Sequence, residues 1–302
     1  MTVDLSQLFE FSDYGALVAL LGNSIIAGAV LGIVGGVVGY FVMARDLAFA
    51  VHGISELSFA GASAALLIGA NVLVGSMVGS ILAALLIGVL GVRARDRNSI
   101  IGVLMPFGLG LGILFLALYP GRASNKFGLL TGQIVAVDSP ELGSLIAVSV
   151  VVLIAVAILW RPLLFASVDE EVARARGLPV GALSIGFMLI LGLATAVSIH
   201  LVGALLVLSL LVTPAAAALR VASAPLAVTG LSVLFAVISS VGGIMLALGS
   251  SIPISPYVTT ISFAIYLACR IIGSRRSRST SSVGTAPSVQ SPAHSSDLHS
   301  VR

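Results

Sequence analysis

Charged residues are scarce in this chain of 302 residues, where Asp, Glu, Lys and Arg together make up 9%. A soluble domain carries about 25% charged residues, and a chain with so few cannot cover its surface with groups that water solvates. The single cysteine, Cys269, excludes an intrachain disulfide framework and a four-thiolate zinc site. Aromatic residues reach only 6%, whereas 58% of the chain is hydrophobic. The composition therefore predicts a polytopic membrane protein.

Long charge-free runs divide the chain into segments that are long enough to cross a bilayer, which takes about 20 mainly apolar residues. They predict an all-α bundle of about nine transmembrane helices, or eight if the short second one does not cross. The predicted spans are 14–44, the region of His52 to residue 69, 72–92, 99–119, 142–160, 180–199 and 201–219, followed by two within 221–269 that a turn at 249–256 separates.

The basic residues predict the orientation, because cytoplasmic loops collect Lys and Arg. With the N-terminus outside and the C-terminus in the cytoplasm, only Arg122 and Lys126 of the 15 basic residues lie outside. Residues 1–13 then form an extracytoplasmic segment, whose acidic start is unlike a signal peptide. Residues 14–273 form the transmembrane domain. The Ser- and Pro-rich residues 274–302 are predicted to be a disordered cytoplasmic tail, a basic anchor whose arginines can also contact lipid head groups.

Glycines recur every fourth residue in three of the predicted spans. Glycine at this spacing lets helix backbones approach each other closely in lipid, so the pattern predicts tight helix packing, with a glycine-lined path as the alternative. The glycines are Gly28, Gly32 and Gly36 in the first span, Gly75 and Gly79 in the third, and Gly108 and Gly112 in the fourth.

Residues 167–179, with the sequence SVDEEVARARGLP, predict a short charged helix over 168–177 between two spans. Ser167 and Glu170 have the spacing of a capping box, and Glu170 and Arg174 form a favourable i,i+4 pair. Gly177 suits the position just after a helix end. A solvated connector is one interpretation. A helix that docks a partner is favoured, because a two-residue turn would join the spans more simply.

Few ionisable residues lie in or near the spans, where such residues are costly and often mark transport pathways. His52 and Glu56 are four residues apart and therefore share one helix face, whereas Asp46, six residues before His52, is a weaker member of the group. His200 lies near the outer end of the sixth or seventh span. An imidazole with carboxylates suits a divalent metal such as zinc or manganese, and an inert hydrogen-bonded pair is the alternative.

The sequence contains no H-E-x-x-H, P-loop or G-x-S-x-G motif, so an intramembrane metalloprotease and a nucleotide-hydrolysing subunit are not supported. No segment resembles a nucleic-acid site. The chain is expected to be a transport subunit and not an enzyme.

Several segments resemble the membrane permease subunits of zinc- and manganese-type ABC importers. Residues 41–61, FVMARDLAFAVHGISELSFAG, are similar to a family motif that carries two histidines. The other matching segments are FGLLTGQIVAV at 127–137, DEEVARARGLP at 169–179 and VGALLVLSLLVTPAAAA at 202–218. Together they extend the resemblance over roughly residues 15–272.

The resemblance implies half of an ATP-driven importer in the cell membrane. Its partners would be a second permease copy (the same chain or a close paralogue), a cytoplasmic ABC ATPase and an extracytoplasmic metal-binding protein. It assigns the short helix, with its charged residues and Gly177, to coupling with the ATPase. The residues concerned are Asp169, Glu170, Glu171, Arg174, Arg176 and Gly177.

The resemblance also places His52 on the first histidine of the family motif, where it would contact the transported Mn²⁺ or Zn²⁺. Glu56 stands where the family often has a second histidine, and His200 lies at a variable polar position that can line the path. A carboxylate is a harder ligand than imidazole, which favours manganese over zinc. No permanently bound cofactor is expected. The alternatives are an ABC permease for a metal chelate such as a siderophore or cobalamin, and a secondary transporter driven by an ion gradient.

Overall fold

The computed structural model describes residues 21–91, 94–121, 129, 137–203, 206–248 and 253–281, without the side chains of 94–96, 200–202 and 275–281. The described residues form helices and connecting turns, with no strand among them. The helices are α1 Gly22–Ala44, α2 Ala48–Leu67, α3 Val72–Leu90, α4 Ala94–Leu118, α5 Ser139–Val168, α6 Glu170–Ala175, α7 Val180–Val202, α8 Val207–Leu211, α9 Thr213–Ala218, α10 Pro225–Leu248 and α11 Ile254–Ser281. The all-α prediction is therefore confirmed.

In this part of the chain, eight helices are long and apolar enough to cross a membrane, within the predicted range of eight to nine. They are α1 to α5, α7, α10 and α11, because α6 is only six residues long. The second predicted span forms as α2. The predicted segment 1–13 and the start of the first span lie outside the described residues.

The predicted seventh span, 201–219, differs in the structure. Its first two residues belong to α7, and its described residues from 206 onward form two short helices, α8 and α9, which meet at Val212. Pro214 follows two residues later, and proline lacks the N–H group that a continuous helix needs. Helix α7 ends just before this region, where Gly203 has a φ of +83°. The backbone in this segment is therefore broken where the sequence predicts one continuous span.

The last helix extends beyond the predicted end of the membrane domain. Residues 274–281 were predicted to be disordered, but α11 continues through them to Ser281. Arginine is a good helix former, so a helix that leaves the membrane can continue through this Arg- and Ser-rich stretch. Residues 282–302 lie outside the described part of the chain.

Glycines bring the helices of the bundle into close contact. A Cβ on Gly32 would lie 2.8 Å from the Cα of Val237 in α10, and Gly36 meets the backbone of Val233 in the same helix. On another side of α1, a Cβ on Gly35 would lie 2.9 Å from the carbonyl oxygen of Leu210 in α8. These glycines face neighbouring backbones, so the predicted packing role is confirmed for α1.

Helix α2 lies between α3 and α4 and also contacts α7. Gly61 of α2 and Gly75 of α3 each meet the other's backbone. Ser58 of α2 and Ser76 of α3 add a buried hydroxyl pair at 2.7 Å, and the Ser76 hydroxyl also donates to the carbonyl oxygen of Ala196 in α7 at 3.2 Å. The helix that carries His52 and Glu56 is therefore held by backbone contacts and hydroxyl hydrogen bonds.

Candidate metal-binding site

His52 and Glu56 lie side by side on α2, as their spacing predicts. The His52 Nε2 atom is 3.7 Å from Glu56 Oε1. The side chain of His52 is 36% exposed and that of Glu56 is 13% exposed, although both lie within a helix of membrane-spanning length. The pair therefore offers one imidazole nitrogen and one carboxylate to a cation that can reach this face of α2.

The neighbouring helices fix the backbone that carries this pair. Helix α4 contacts α2 at Glu56, because a Cβ on Gly108 would lie 2.9 Å from the Glu56 carbonyl carbon. The Ser55 hydroxyl donates to the carbonyl oxygen of His52 at 2.8 Å. His52 Nδ1 is buried, and no described atom forms a hydrogen bond with it. One nitrogen of His52 thus faces Glu56 and the other is left without a described partner.

The described residues of one chain do not assemble a complete metal site. No group of three or more His, Cys, Asp or Glu side chains comes close enough together among them. Protein-bound zinc takes four ligands, and manganese prefers an octahedral set rich in oxygen. His52 and Glu56 supply two ligands.

The structure separates Asp46 from this pair. Asp46 lies in the turn between α1 and α2 with a φ of +53°, and α2 begins two residues after it at Ala48. Asp46 is therefore not part of the helix that carries His52, and its position cannot be calculated from helical spacing. Asp46 instead lines a cavity of about 380 Å³ whose lining includes neither His52 nor Glu56.

This cavity, termed the Arg45 cavity, lies where five helices approach the short helix α6. Besides Arg45 and Asp46, its polar lining includes Arg97, Glu170 and Arg174. The Arg45 guanidinium lies 5.9 Å from the centre of the Phe187 ring, and its Nη1 atom is buried without a described hydrogen-bond partner. Burial lowers the pKa of Arg45, the negative charge of Glu170 opposes this change, and the positive charge of Arg97 adds to it. Glu170 of α6 therefore interacts favourably with a half-buried cation in the turn between α1 and α2.

Helix α6 forms as predicted, but its cap differs. The Asp169 carboxylate accepts a hydrogen bond from the backbone N–H of Val172 at 2.9 Å and so caps the helix. Ser167, predicted to be the capping residue, donates its hydroxyl to the carbonyl oxygen of Leu163 at 2.6 Å. The preceding helix α5 continues to Val168, so Ser167 belongs to it. The predicted capping box is therefore wrong.

The other predicted features of α6 are confirmed. Arg174 Nη2 lies 2.5 Å from Glu170 Oε1, and Gly177 has a φ of +82°. Ala173 is buried against the bundle, whereas Glu171 and Arg176 are exposed. The helix thus places one small apolar side chain inward and a set of charges outward.

His200 lies in the last turn of α7, and its side chain is outside the described part of the structure. The sequence did not predict Arg45 and Arg97 as site residues, because their charges indicate only how the chain is oriented in the membrane. For Arg45, its position between two long apolar runs was a signal in the sequence that it lies near a membrane helix.

Comparison with known proteins identifies the family. The sequence pattern of the ABC 3 transport family matches residues 18–273, nearly the whole described bundle. The chain belongs to the ABC 3 transport family. The resemblance noted from the sequence is thereby confirmed, and this ABC 3 chain is a multi-pass protein of the cell membrane.

Curated relatives of this ABC 3 chain match it over most of their length. It is 30% identical over 241 residues to the manganese transport system membrane protein MntC of Halalkalibacterium halodurans, covering 80% of this chain and 82% of that protein. It is 27% identical over 262 residues to the manganese import system permease protein ScaB of Streptococcus parasanguinis, covering 86% and 93%.

Two solved structures share the fold of this ABC 3 protein. PsaBC from Streptococcus pneumoniae in complex with Fab matches with a TM-score of 0.77 and 26% identity, covering 86% of this chain and 95% of that one. An inward-facing conformation of a putative metal-chelate type ABC transporter matches with a TM-score of 0.66 and 17% identity, covering 87% and 92%. The second match shows the fold alone.

Proposed function

We propose that this chain is the permease subunit of an ABC importer that takes up a divalent metal ion, with manganese favoured over zinc. The observation that carries the proposal is the His52–Glu56 pair, which lies on a membrane-length helix with both side chains incompletely buried. The names of the relatives MntC and ScaB, both described as manganese transport proteins, support the choice of metal. A carboxylate beside a single imidazole also fits a harder cation than zinc.

Two permease copies would complete the metal site. One chain contributes two ligands, so a pair of copies that face each other across a central path contributes four. His200 is a further proposed ligand from the end of α7, and Asp46 a proposed contact along the path beside the Arg45 cavity. A transport site must also release its ion, which incomplete coordination within each copy favours.

Helix α6 is the proposed docking element for a separate cytoplasmic ATPase. The exposed charges of Glu170, Glu171, Arg174 and Arg176 form its outer surface, while Asp169 and Gly177 define its two ends. ATP-driven movement of α6 would switch the bundle from its outward-facing to its inward-facing state and back. Glu170 lines the Arg45 cavity beside the turn that leads into α2. Movement of α6 would therefore displace the start of the helix that carries His52 and Glu56.

The proposed orientation places the N-terminus outside and the C-terminus in the cytoplasm. This requires residues 203–218, with α8 and α9, to complete a ninth crossing. A metal-binding protein would deliver the ion from the outside. The orientation is tested with Asn71→Cys and Ser274→Cys, each as a single cysteine labelled from outside intact cells. The order of the spans places residue 71 outside and residue 274 in the cytoplasm, so only the cysteine at 71 should be labelled.

The function is tested by ⁵⁴Mn uptake in vesicles that contain the chain together with its ATPase. We expect His52→Ala and Glu56→Gln to abolish or strongly reduce uptake while the complex still assembles. Ser63→Ala is the matched control, because Ser63 lies on the same helix with a buried hydroxyl that has no described partner. Normal uptake by His52→Ala would reduce His52 to a packing residue.

The same vesicles separate the alternatives. Uptake of a chelated metal with no uptake of free manganese or zinc would indicate a chelate permease. Uptake that persists without ATP would indicate a secondary transporter. Charge reversal of both Glu171 and Arg174 should release the ATPase during purification, and retention of the ATPase would contradict the docking role of α6.

A further inference from the structure

The end of the last membrane helix packs against the turn that follows α9. Tyr266, Arg270 and Gly273 are spaced four and seven residues apart on α11 and so share one face of the helix. A Cβ on Gly273 would meet the carbonyl oxygen of Arg220 and lie 3.5 Å from the Arg220 Cβ. The absence of a side chain at Gly273 therefore allows the Arg220 turn to approach α11 closely.

This packing brings two guanidinium groups to one hydroxyl. The guanidinium groups of Arg220 and Arg270 both lie near the Tyr266 hydroxyl, because the Arg220 turn packs against α11 at Gly273 and Arg270 is one helical turn beyond Tyr266. Both arginines are exposed. Among the described residues, no carboxylate lies within ion-pair distance of Arg220 or Arg270. Two like charges held close together repel each other, and an anion between them would remove that repulsion.

The surroundings indicate which anion fits. Phe263, Leu267, Ile271 and Ile272 are exposed apolar side chains on the same helix, within the membrane-length segment Ile254–Ser274. Exposed apolar side chains of this kind face acyl chains in a bilayer. The cluster formed by Arg220, Tyr266 and Arg270 lies beside them, near the end of the span. A phosphate that carries acyl chains can therefore contact both the guanidinium groups and the apolar residues.

We propose that Arg220, Tyr266 and Arg270 form a binding site for the phosphate group of an anionic phospholipid. The two guanidinium groups donate hydrogen bonds to phosphate oxygens, which is the geometry that arginine favours. The Tyr266 hydroxyl can rotate to donate to the same phosphate. The site lies on a different helix from the His52–Glu56 pair, so the proposal does not depend on the transported metal.

The full-length chain in nanodiscs tests this site, with labelled phosphatidylglycerol as the probe and phosphatidylcholine as its neutral counterpart. Changing both Arg220 and Arg270 to Gln should weaken retention of phosphatidylglycerol about tenfold, because charge-assisted hydrogen bonds are lost. Retention of phosphatidylcholine should not change. Tyr266→Phe, which keeps the ring and removes only the hydroxyl, should give a smaller loss in the same direction.

Arg161→Gln is the matched control, because Arg161 is an exposed arginine near the end of another membrane helix. An equal loss in this variant would show general attraction to charge and overturn the proposal. Displacement of the lipid by millimolar inorganic phosphate, regardless of acyl chains, would show a free-anion site and overturn it as well. Unchanged lipid retention with loss of the ATPase from the complex would assign the cluster to a protein interface. If the double variant fails to fold, Arg270→Gln alone is expected to show a reduced preference for phosphatidylglycerol, and an unchanged preference would overturn the site.

Discussion

Gly108 of α4 lies directly against the backbone of Glu56 in α2. A Cβ on Gly108 would lie 2.9 Å from the Glu56 carbonyl carbon and 2.9 Å from the Leu57 nitrogen. No larger residue fits at this point unless one of the two helices moves. The position of a proposed metal ligand therefore depends on a glycine more than fifty positions away in the chain.

Gly108→Ala should destabilise the bundle and reduce metal uptake, because the added methyl group forces α2 and α4 apart. Overpacking of this kind costs about 1–3 kcal/mol. Gly110→Ala is the control, since a Cβ there has no neighbour within 4 Å. Thermal unfolding of the purified chain in detergent, together with vesicle uptake, measures both effects. Equal stability of the two variants would contradict the close contact at Gly108.

Glu56→His should shift the metal preference of uptake from manganese toward zinc. The change replaces a hard anionic oxygen ligand with a second imidazole nitrogen, which zinc accepts readily. Glu56→Asp keeps a carboxylate and should keep the preference for manganese. Competition between ⁵⁴Mn and unlabelled zinc in vesicles measures the preference. If Glu56→His leaves the ratio unchanged, Glu56 does not select the ion.

Asp169→Ala should destabilise α6, because the variant loses the side chain that accepts a hydrogen bond from the Val172 N–H. Loss of an N-cap costs about 1 kcal/mol, which corresponds to roughly fivefold faster amide exchange in this helix. Asp169→Asn keeps a capping oxygen and should change little. Ser167→Ala is a second control, since the Ser167 hydroxyl bonds to Leu163 in the preceding helix. Hydrogen exchange over residues 170–175 measures the effect. Faster exchange in Ser167→Ala but not in Asp169→Ala would show that Ser167, and not Asp169, caps the helix.

Glu170→Gln should lower the melting temperature more than Glu171→Gln does. The Glu170 charge acts on Arg45, whose positive charge is half-buried and is also repelled by Arg97. Arg174→Gln removes the ion pair within α6 but leaves Glu170 near Arg45. Comparing it with Glu170→Gln therefore separates the effect of the Glu170–Arg45 interaction on the melting temperature from that of the ion pair. Changing both Arg45 and Glu170 to Gln should lower the melting temperature by less than the sum of the decreases in the two single variants. Additive decreases would show that Arg45 and Glu170 do not interact.

The sequence predicted the features of the site that depend on neighbours in the chain. The pairing of His52 with Glu56 and of Glu170 with Arg174 follows from helix geometry, because residues four apart share a face. The positive φ at Gly177 is likewise local, since only the end of a short helix is involved. Asp46 did not follow the helical spacing, because α2 begins after it.

The sequence alone also determined the class of protein. A bilayer demands about 20 apolar residues per crossing, so the scarcity of charge predicted a membrane bundle and the approximate bounds of most spans. Tertiary structure decided where the helices break and which faces meet. The cap is Asp169 and not Ser167, because α5 extends to Val168. The described residues 206–219 form two short helices, which pack against Gly35 and Gly39 of α1.

Contacts between distant segments were decided only by the fold. Three contacts each join segments that are far apart in sequence: Gly108 with Glu56, Arg45 with Glu170, and Arg220 with α11. An apolar helix surface in lipid has no hydrophobic preference for one neighbour over another. Shape and hydrogen bonding choose the partner, and both depend on the three-dimensional arrangement of many side chains at once.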